Sequence, residues 1–295
     1  MMIADNFIWI VYGLAAVLAS IAIPLIQEFK KADGYAVAVW VKIATLILML
    51  PFAVMVGLPP DIKFYAVVGL TALLWSISDV IYFRAVSTVG AGVVSRILPS
   101  AVVISFPLWF IFAPELLDKY LASPWQSAAV VVIICMSAYL ATTMRKCPIT
   151  WQGMRLIWFV VFAAVVGPII DKLSLGYAPA KQAPIAYMVI QSSFMLVFWA
   201  IFSVVRKPIS RQVFLSRSSW QCGLSIGVVA TLVLYLKTEA LRLCEHPSLL
   251  SVILFTDALW IILFYKAIGR KDDSNIWAGL GIVACAAALV LVKSF

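Results

Sequence analysis

Residues 8–17 read IWIVYGLAAV, and residues 157–166 read IWFVVFAAVV. With a shift of 149 positions, Ile, Trp, Val, Ala and Val coincide. Each stretch opens a longer apolar run, so the chain restates its beginning just past its middle. Composition says what kind of element is restated. Hydrophobic residues make up 64% of the 295 residues and charged residues 12%, against about 45–50% and 25% in soluble domains. A run of about 20 apolar residues crosses the hydrocarbon layer as a helix. In lipid a helix satisfies its own backbone hydrogen bonds. Strands of a membrane barrel alternate polar and apolar over about 10 residues, and no such alternation occurs here.

Ten spans are expected, at 7–27, 35–57, 64–87, 91–113, 124–144, 156–176, 183–205, 220–243, 247–268 and 275–293. Between them lie short turn and cap segments such as KKADG, GLPPD, CEHP and GRKDDSN, rich in the residues that stop helices. None is long enough to house a soluble domain. The opening repeat falls where a sixth span begins. PELLDKYLASPWQSAAVVVIICMSAYL (114–140) is likewise answered by IGRKDDSNIWAGLGIVACAAALVLV (268–292). In both, a charged loop and a Trp (Trp125, Trp277) precede small and aliphatic residues. The chain thus divides into five-helix repeats, 1–147 and 148–295, which together make one transport domain. Because five is odd, the second copy enters the membrane from the opposite side. Inverted repeats of this kind build secondary transporters with a substrate site near the midplane, where the copies meet.

The formal net charge of +9 marks orientation rather than nucleic-acid binding. Lys30, Lys31, Arg145, Lys146, Arg155, Arg206, Lys207, Arg211, Arg217, Arg270 and Lys271 fall in the odd-numbered loops. Only Lys63, Lys119, Lys181 and Lys293 fall in the even loops and termini. Basic loops stay cytoplasmic, so both termini are expected on the opposite side. The first apolar segment is too long, and lacks the basic leader, for a cleavable signal. The five cysteines (135, 147, 222, 244, 285) form no C-x-x-C pair and read as buried small residues. His246, the single histidine, cannot build a zinc site alone.

Charges inside spans cost about 2.5–3.5 kcal/mol at the centre on insertion scales and are functional candidates for that reason. With about 1.5 Å of rise per residue, Asp257 lies at the midpoint of the ninth span and Asp79 about 6 Å from the middle of the third. Lys42 is placed similarly in the second, Asp171 farther out in the sixth, and Glu239 near one end of the eighth. Arg84, Arg242 and Lys266 are close enough to an interface to snorkel. Trp75, Asp79 and Tyr82 share one helix face, as do Tyr235, Glu239 and Arg242, and Asp257, Trp260 and Phe264. Acid beside aromatic surface suits a cavity wall that holds a cation or proton and packs a substrate. The competing reading is structural pairing, Asp79 with Lys42 and Asp257 with Lys237 or another buried base. Arg84, Arg96, Lys172 and Lys237 could equally meet an anion. Pro99, Pro107 and Pro168 each remove a helical hydrogen bond within a span.

These features resemble the drug/metabolite transporter superfamily, EamA type. Ten short-looped helices in a five-plus-five inverted repeat over the whole chain carry the resemblance. VYGLAAVLAS with Tyr12-Gly13, VVFAAVVGPIIDKLSLG with Asp171-Lys172, IYFRAV with Tyr82 and Ala85, and Pro99 are similar to that family's weak motifs. Its Gly-Glu after the fourth and ninth spans is replaced here by APELL with Glu115 and GRKDD with Gly269. The resemblance implies an all-α integral membrane protein with a central cavity lined by the first, third, fourth, sixth, eighth and ninth helices. Tyr12, Tyr82, Asp79, Tyr235, Asp257 and Trp260 would then fall on cavity helices. It also implies cytoplasmic termini, against the loop charges. The expected function is secondary transport of an amino acid, amine or similar amphipathic metabolite by alternating access, in a bacterial inner membrane. A proton gradient or exchange would drive it, since no G-x-x-x-x-G-K-[ST] occurs. No cofactor, metal or nucleic acid is expected, and the partners are the solute, the bilayer and at most a second copy. The alternative is a non-transporting membrane protein: a channel, a receptor or an intramembrane enzyme. The enzyme would need a nucleophile–base pair or metal ligands at depth, and neither H-E-x-x-H nor G-x-S-x-G is present.

Overall fold

The computed structural model describes residues 8–30, 32–89, 98–144, 151–206, 208–269 and 275–294. Arg96, Cys147, the first part of the fourth span and the basic residues at 31, 145, 146, 207, 270 and 271 lie outside them, as does the side chain of Arg84.

Among the described residues every regular element is a helix. In chain order these are α1 (Ile8–Ser20), α2 (Ala22–Lys30), α3 (Gly34–Val56), α4 (Ile62–Val89), α5 (Ser100–Trp109), α6 (Pro114–Ala122) and α7 (Pro124–Thr143). They continue as α8 (Trp151–Gly176), α9 (Ala183–Arg206), α10 (Arg211–Phe214), α11 (Arg217–Leu243), α12 (Pro247–Leu254), α13 (Asp257–Ala267) and α14 (Ile276–Ser294). Among the described residues eight stretches are long and apolar enough to cross a membrane, or nine if α5 and α6 count as one broken span. The chain is therefore an all-α, multi-pass membrane protein.

The departures from ten even spans have local causes. α5 and α6 are bent 98° apart. The segment PELLDKYLA, read as a loop, is itself a helix with Pro114 in its first turn, Glu115 at its start and Lys119 near its end. Proline suits the first turn, where no N–H partner is needed, and the two charges match the helix dipole. Pro99 caps α5 rather than lying within it. The ninth span is interrupted at Phe255–Thr256, where tight turn hydrogen bonds separate α12 from α13. Among the described residues the apolar stretch of α14 runs Ile276–Val292.

The most extensive helix contacts all join a helix before residue 144 to one after residue 151. α3 packs on α9 and α11, α4 on α8 and α9, α1 on α11 and α12, α5 on α8 and α12, and α7 on α14. The two halves interlock as one body. Lipid supplies no hydrophobic drive between helices, so close packing and interhelical hydrogen bonds must hold them. The α3–α11 contact shows how. A Cβ on Gly223 would lie 2.3 Å from Trp40 Cβ, and one on Gly227 would lie 2.4 Å from Ala44 Cβ. One turn on, the hydroxyls of Thr45 and Thr231 are 3.0 Å apart.

The end of the bundle carrying the even-numbered loops is tightly joined. Gln182 donates through Nε2 to the Val56 carbonyl at 3.0 Å. His246 accepts from the Ser248 backbone N–H through Nδ1 at 3.2 Å, which leaves Nε2–H to donate to the Phe106 carbonyl at 3.0 Å. The same imidazole stacks on Phe106 with ring centroids 4.4 Å apart. The lone histidine is thus a helix cap and a tie between α5 and α12.

Candidate functional site

A cavity of about 160 Å³ lies between α3, α4, α8, α9 and α11. Helical spacing aims its walls. Trp75 and Asp79 on α4 are four residues apart, as are Asp171 and Leu175 on α8 and Tyr187 and Gln191 on α9, so each pair shares a face. α3 contributes Lys42, and α11 contributes Leu234, Lys237, Thr238 and Leu241.

Asp171 is the best-held group. Its Oδ1 accepts from the Tyr187 hydroxyl at 2.7 Å and from Trp75 Nε1 at 3.5 Å. Gln191 Nε2 in turn donates to the Tyr187 oxygen at 2.5 Å. The carboxylate is 8% exposed, and a buried carboxylate needs such donors. Glycine makes the arrangement possible. Gly167 lies one turn before Asp171, and a Cβ there would stand 2.4 Å from Trp75 Cζ2. The bare backbone lets the indole cross α8 and reach the acid.

The other charges are less tied. Lys42 lies within electrostatic reach of Asp79, Asp171 and Lys237, and Lys237 within reach of Asp171. Among the described residues, Lys42, Asp79 and Lys237 form no side-chain hydrogen bond and no ion pair. The expected Asp79–Lys42 pairing is thus a neighbourhood without contact. Lys237 lines the same cavity, within electrostatic reach of Asp171.

Of the nine candidates from sequence, Trp75, Asp79 and Asp171 meet in this cavity. Tyr12 and Tyr235 pack against the main core, and Tyr235 lies near Glu239 and Arg242. Glu239 accepts from Arg242 at 3.0 Å and 2.7 Å, so Arg242 is paired along its helix rather than only reaching for the interface. Tyr82 packs with Ala85, Ile157 and Val160. Asp257 is the first residue of α13, where the helix dipole favours an acid. Trp260 is 38% exposed. Neither Asp257 nor Trp260 lines the cavity.

Sequence reasoning did not single out Tyr187, Gln191 or Thr238. The signal was present, since Tyr187 and Gln191 are polar residues one turn apart in the apolar run IAYMVIQSSF. Only ionisable residues had been ranked by depth. Lys172 is a second finding. Its ammonium donates to the carbonyls of Leu241 (2.9 Å) and Cys244 at the end of α11, and lies 6.0 Å from the Trp109 ring centroid. It caps a helix terminus, a favourable place for a cation.

Among the described residues no group of His, Cys, Asp or Glu is arranged to hold a metal ion. No family model matches the chain, and no curated protein does. Solved structures share its fold. One, described only as the crystal structure of a protein, superposes with a TM-score of 0.67 at 14% identity, covering 96% of this chain and 96% of its own. The likeness runs the length of both chains and concerns the fold alone.

Proposed function

We propose that this chain is a secondary transporter of the drug/metabolite transporter superfamily, EamA type, in a bacterial inner membrane. It moves a small metabolite by alternating access, driven by a proton gradient or by exchange. The observation that carries this reading is the charged cavity amid apolar spans, walled by helices from both halves of the chain. Buried charges cost free energy unless something meets them, and Lys42, Asp79 and Lys237 have no hydrogen-bond or ion-pair partner among the described residues.

The ten-span, inverted-repeat reading is supported by the packing. Number the spans in order, with α1 and α2 as the first, α5 as the fourth, and α12 and α13 as the ninth. Exchange each span with the one five places on. The second–eighth contact becomes the seventh–third, the first–eighth becomes the sixth–third, and the fourth–sixth becomes the ninth–first. The fourth–fifth contact becomes the ninth–tenth, and the second–seventh, fourth–ninth and fifth–tenth map onto themselves. Every one of these pairs is in contact. A two-fold relation between the halves has this consequence, and two equivalent halves can rock about a central site.

Within this reading Asp79 and Asp171 are the solute- or proton-binding acids, and Trp75 packs against the solute. Purified protein in liposomes should show saturable, stereospecific uptake that falls at least tenfold in Asp79→Asn. Flux that rises linearly with concentration, or that is the same in both proteins, would remove the transporter reading.

A further inference from the structure

We infer that a second pocket, separate from the charged cavity, binds a singly charged phosphate diester. It lies where α5, α8 and α11 finish, at the end of the bundle carrying the even-numbered loops. The inference does not rest on the transport reading.

The pocket has a volume of about 380 Å³, within the roughly 300–1,000 Å³ of small-molecule sites. It stands back to back with the charged cavity, and Leu175 is in the wall of both. Asp171 and Leu241 line the cavity, while the residues that follow them, Lys172 and Arg242, line the pocket. The two spaces therefore differ in charge. The cavity wall carries both acids and bases, whereas the pocket wall carries two bases and no acid.

The acids nearby are already held. Glu239 accepts twice from Arg242. Glu245, within electrostatic reach of Lys172, pairs with Lys119 at 2.5 Å. Lys172 meets backbone carbonyls and forms no ion pair among the described residues. Each helix that ends here is soon followed by one that begins, α6, α9 or α12, so the charges at the helix ends largely offset one another. One positive charge is left without an anion.

Donors for that anion come from all three helices. The Trp109 indole N–H on α5 is buried without a hydrogen-bond partner among the described residues, and such a group calls for one. Arg242 on α11 gives its Nε and Nη2 to Glu239, which leaves Nη1 for a second acceptor. Tyr177, just past the end of α8, is 39% exposed and sets a hydroxyl at the rim. The Lys172 ammonium lies 6.0 Å from the Trp109 ring centroid and adds its field. Arg and several donors from different directions suit the tetrahedral oxygens of a phosphate. Leu173, Leu175 and the Trp109 ring make the rest of the wall apolar, which suits a diester with a glyceryl or acyl part. Trp and Tyr mark the membrane interface, where basic pockets between spans take lipid head groups. A soluble diester offers the same oxyanion.

The test uses the full chain in detergent, read by thermal shift and native mass spectrometry. The probes are short-chain phosphatidylglycerol, its deacylated head group glycerophosphoglycerol, the matching diacylglycerol and the matching free fatty acid. Phosphatidylglycerol should bind about tenfold or more tightly than the diacylglycerol and the fatty acid, the worth of one hydrogen bond to a charged group. If glycerophosphoglycerol binds as well as the lipid, the ligand is a soluble diester; if only the lipid binds, it is a head group. Trp109→Phe deletes the buried donor. Gly176→Leu adds bulk where a Cβ would meet nothing within 4 Å, and it leaves every charge in place. Each variant should weaken diester binding by about tenfold. If neither variant melts cooperatively, protection of Arg242 from phenylglyoxal by the diester, read by peptide mass spectrometry, locates the site. Failure of both diesters to bind overturns the inference. So does equal binding of the diacylglycerol or the fatty acid, undiminished binding in the folded variants, or no protection of Arg242.

Discussion

The indole of Trp75 lies across the bare backbone of Gly167, so close that a methyl group there would stand 2.4 Å from Cζ2. The contact ties α4 to α8 across the two halves and aims the indole N–H at Asp171. Gly167→Ala should therefore push the ring aside and lower stability by about 1–3 kcal/mol, the usual cost of overpacking. A lower melting temperature, with a shift in tryptophan emission, checks this. An unchanged melting temperature would mean the helices separate freely here.

Tyr187 supplies the short hydrogen bond to Asp171. Tyr187→Phe keeps the ring and deletes the donor. A buried acceptor left short of a donor costs about 1–3 kcal/mol. The variant should melt earlier than the unaltered chain, and its solute binding should weaken as the carboxylate loses its fixed orientation. A melting curve reads the first effect and liposome uptake the second.

The α3–α11 contact depends on small residues. Gly227→Leu would drive four carbons into Ala44 and Val41, whose atoms already lie 2.4 Å and 3.3 Å from a Cβ at that position. α11 is long and apolar, so it should still insert, but the bundle should not close. Expression at the membrane with loss of a monodisperse peak in gel filtration is the expected result.

Lys172 and Lys119 make opposite predictions. Lys119 meets Glu245 at 2.5 Å, but their side chains are 61% and 44% exposed. Exposed pairs contribute about 0–1 kcal/mol, so Lys119→Ala should leave the melting temperature nearly unchanged. Lys172 caps carbonyls at the end of α11, and Lys172→Met should expose that end.

Cys244 reports the exposure. It is 1% exposed, and burial pushes its thiol up to about 11. Alkylation needs the thiolate. Because the thiol's value is raised, the thiolate forms only as the pH approaches 11, and at pH 7.5 the group is almost wholly protonated. N-ethylmaleimide should therefore spare Cys244 at pH 7.5 in the unaltered chain; in Lys172→Met the lost charge alone would hold the thiol still higher, so labelling there reports that the end of α11 has opened. Mass spectrometry of the peptide gives the answer directly.

What was legible in the sequence is the class of molecule. Apolar runs such as IWIVYGLAAV and IWFVVFAAVV can satisfy their backbones in lipid only as helices, so composition and run length determine an all-α membrane protein without reference to any contact. Three of the cavity residues, Trp75, Asp79 and Asp171, were legible too, because charge at depth is costly wherever the helix goes. Lys42 was legible by the same rule, but which groups would meet across the helices was not. Lys42, Lys237 and Tyr187 lie on α3, α11 and α9, and nothing in one helix records which face another presents to it. Glu239 and Asp257 show the same limit. Asp257 looks functional by depth and Glu239 by the face it shares with Tyr235, yet Glu239 is met by Arg242 on its own helix and Asp257 opens a helix where the dipole favours it. Depth is a property of one span and is written in its sequence. Pairing depends on how spans cross, and that is decided by close approaches such as Trp75 on Gly167, which exist only once the halves have packed.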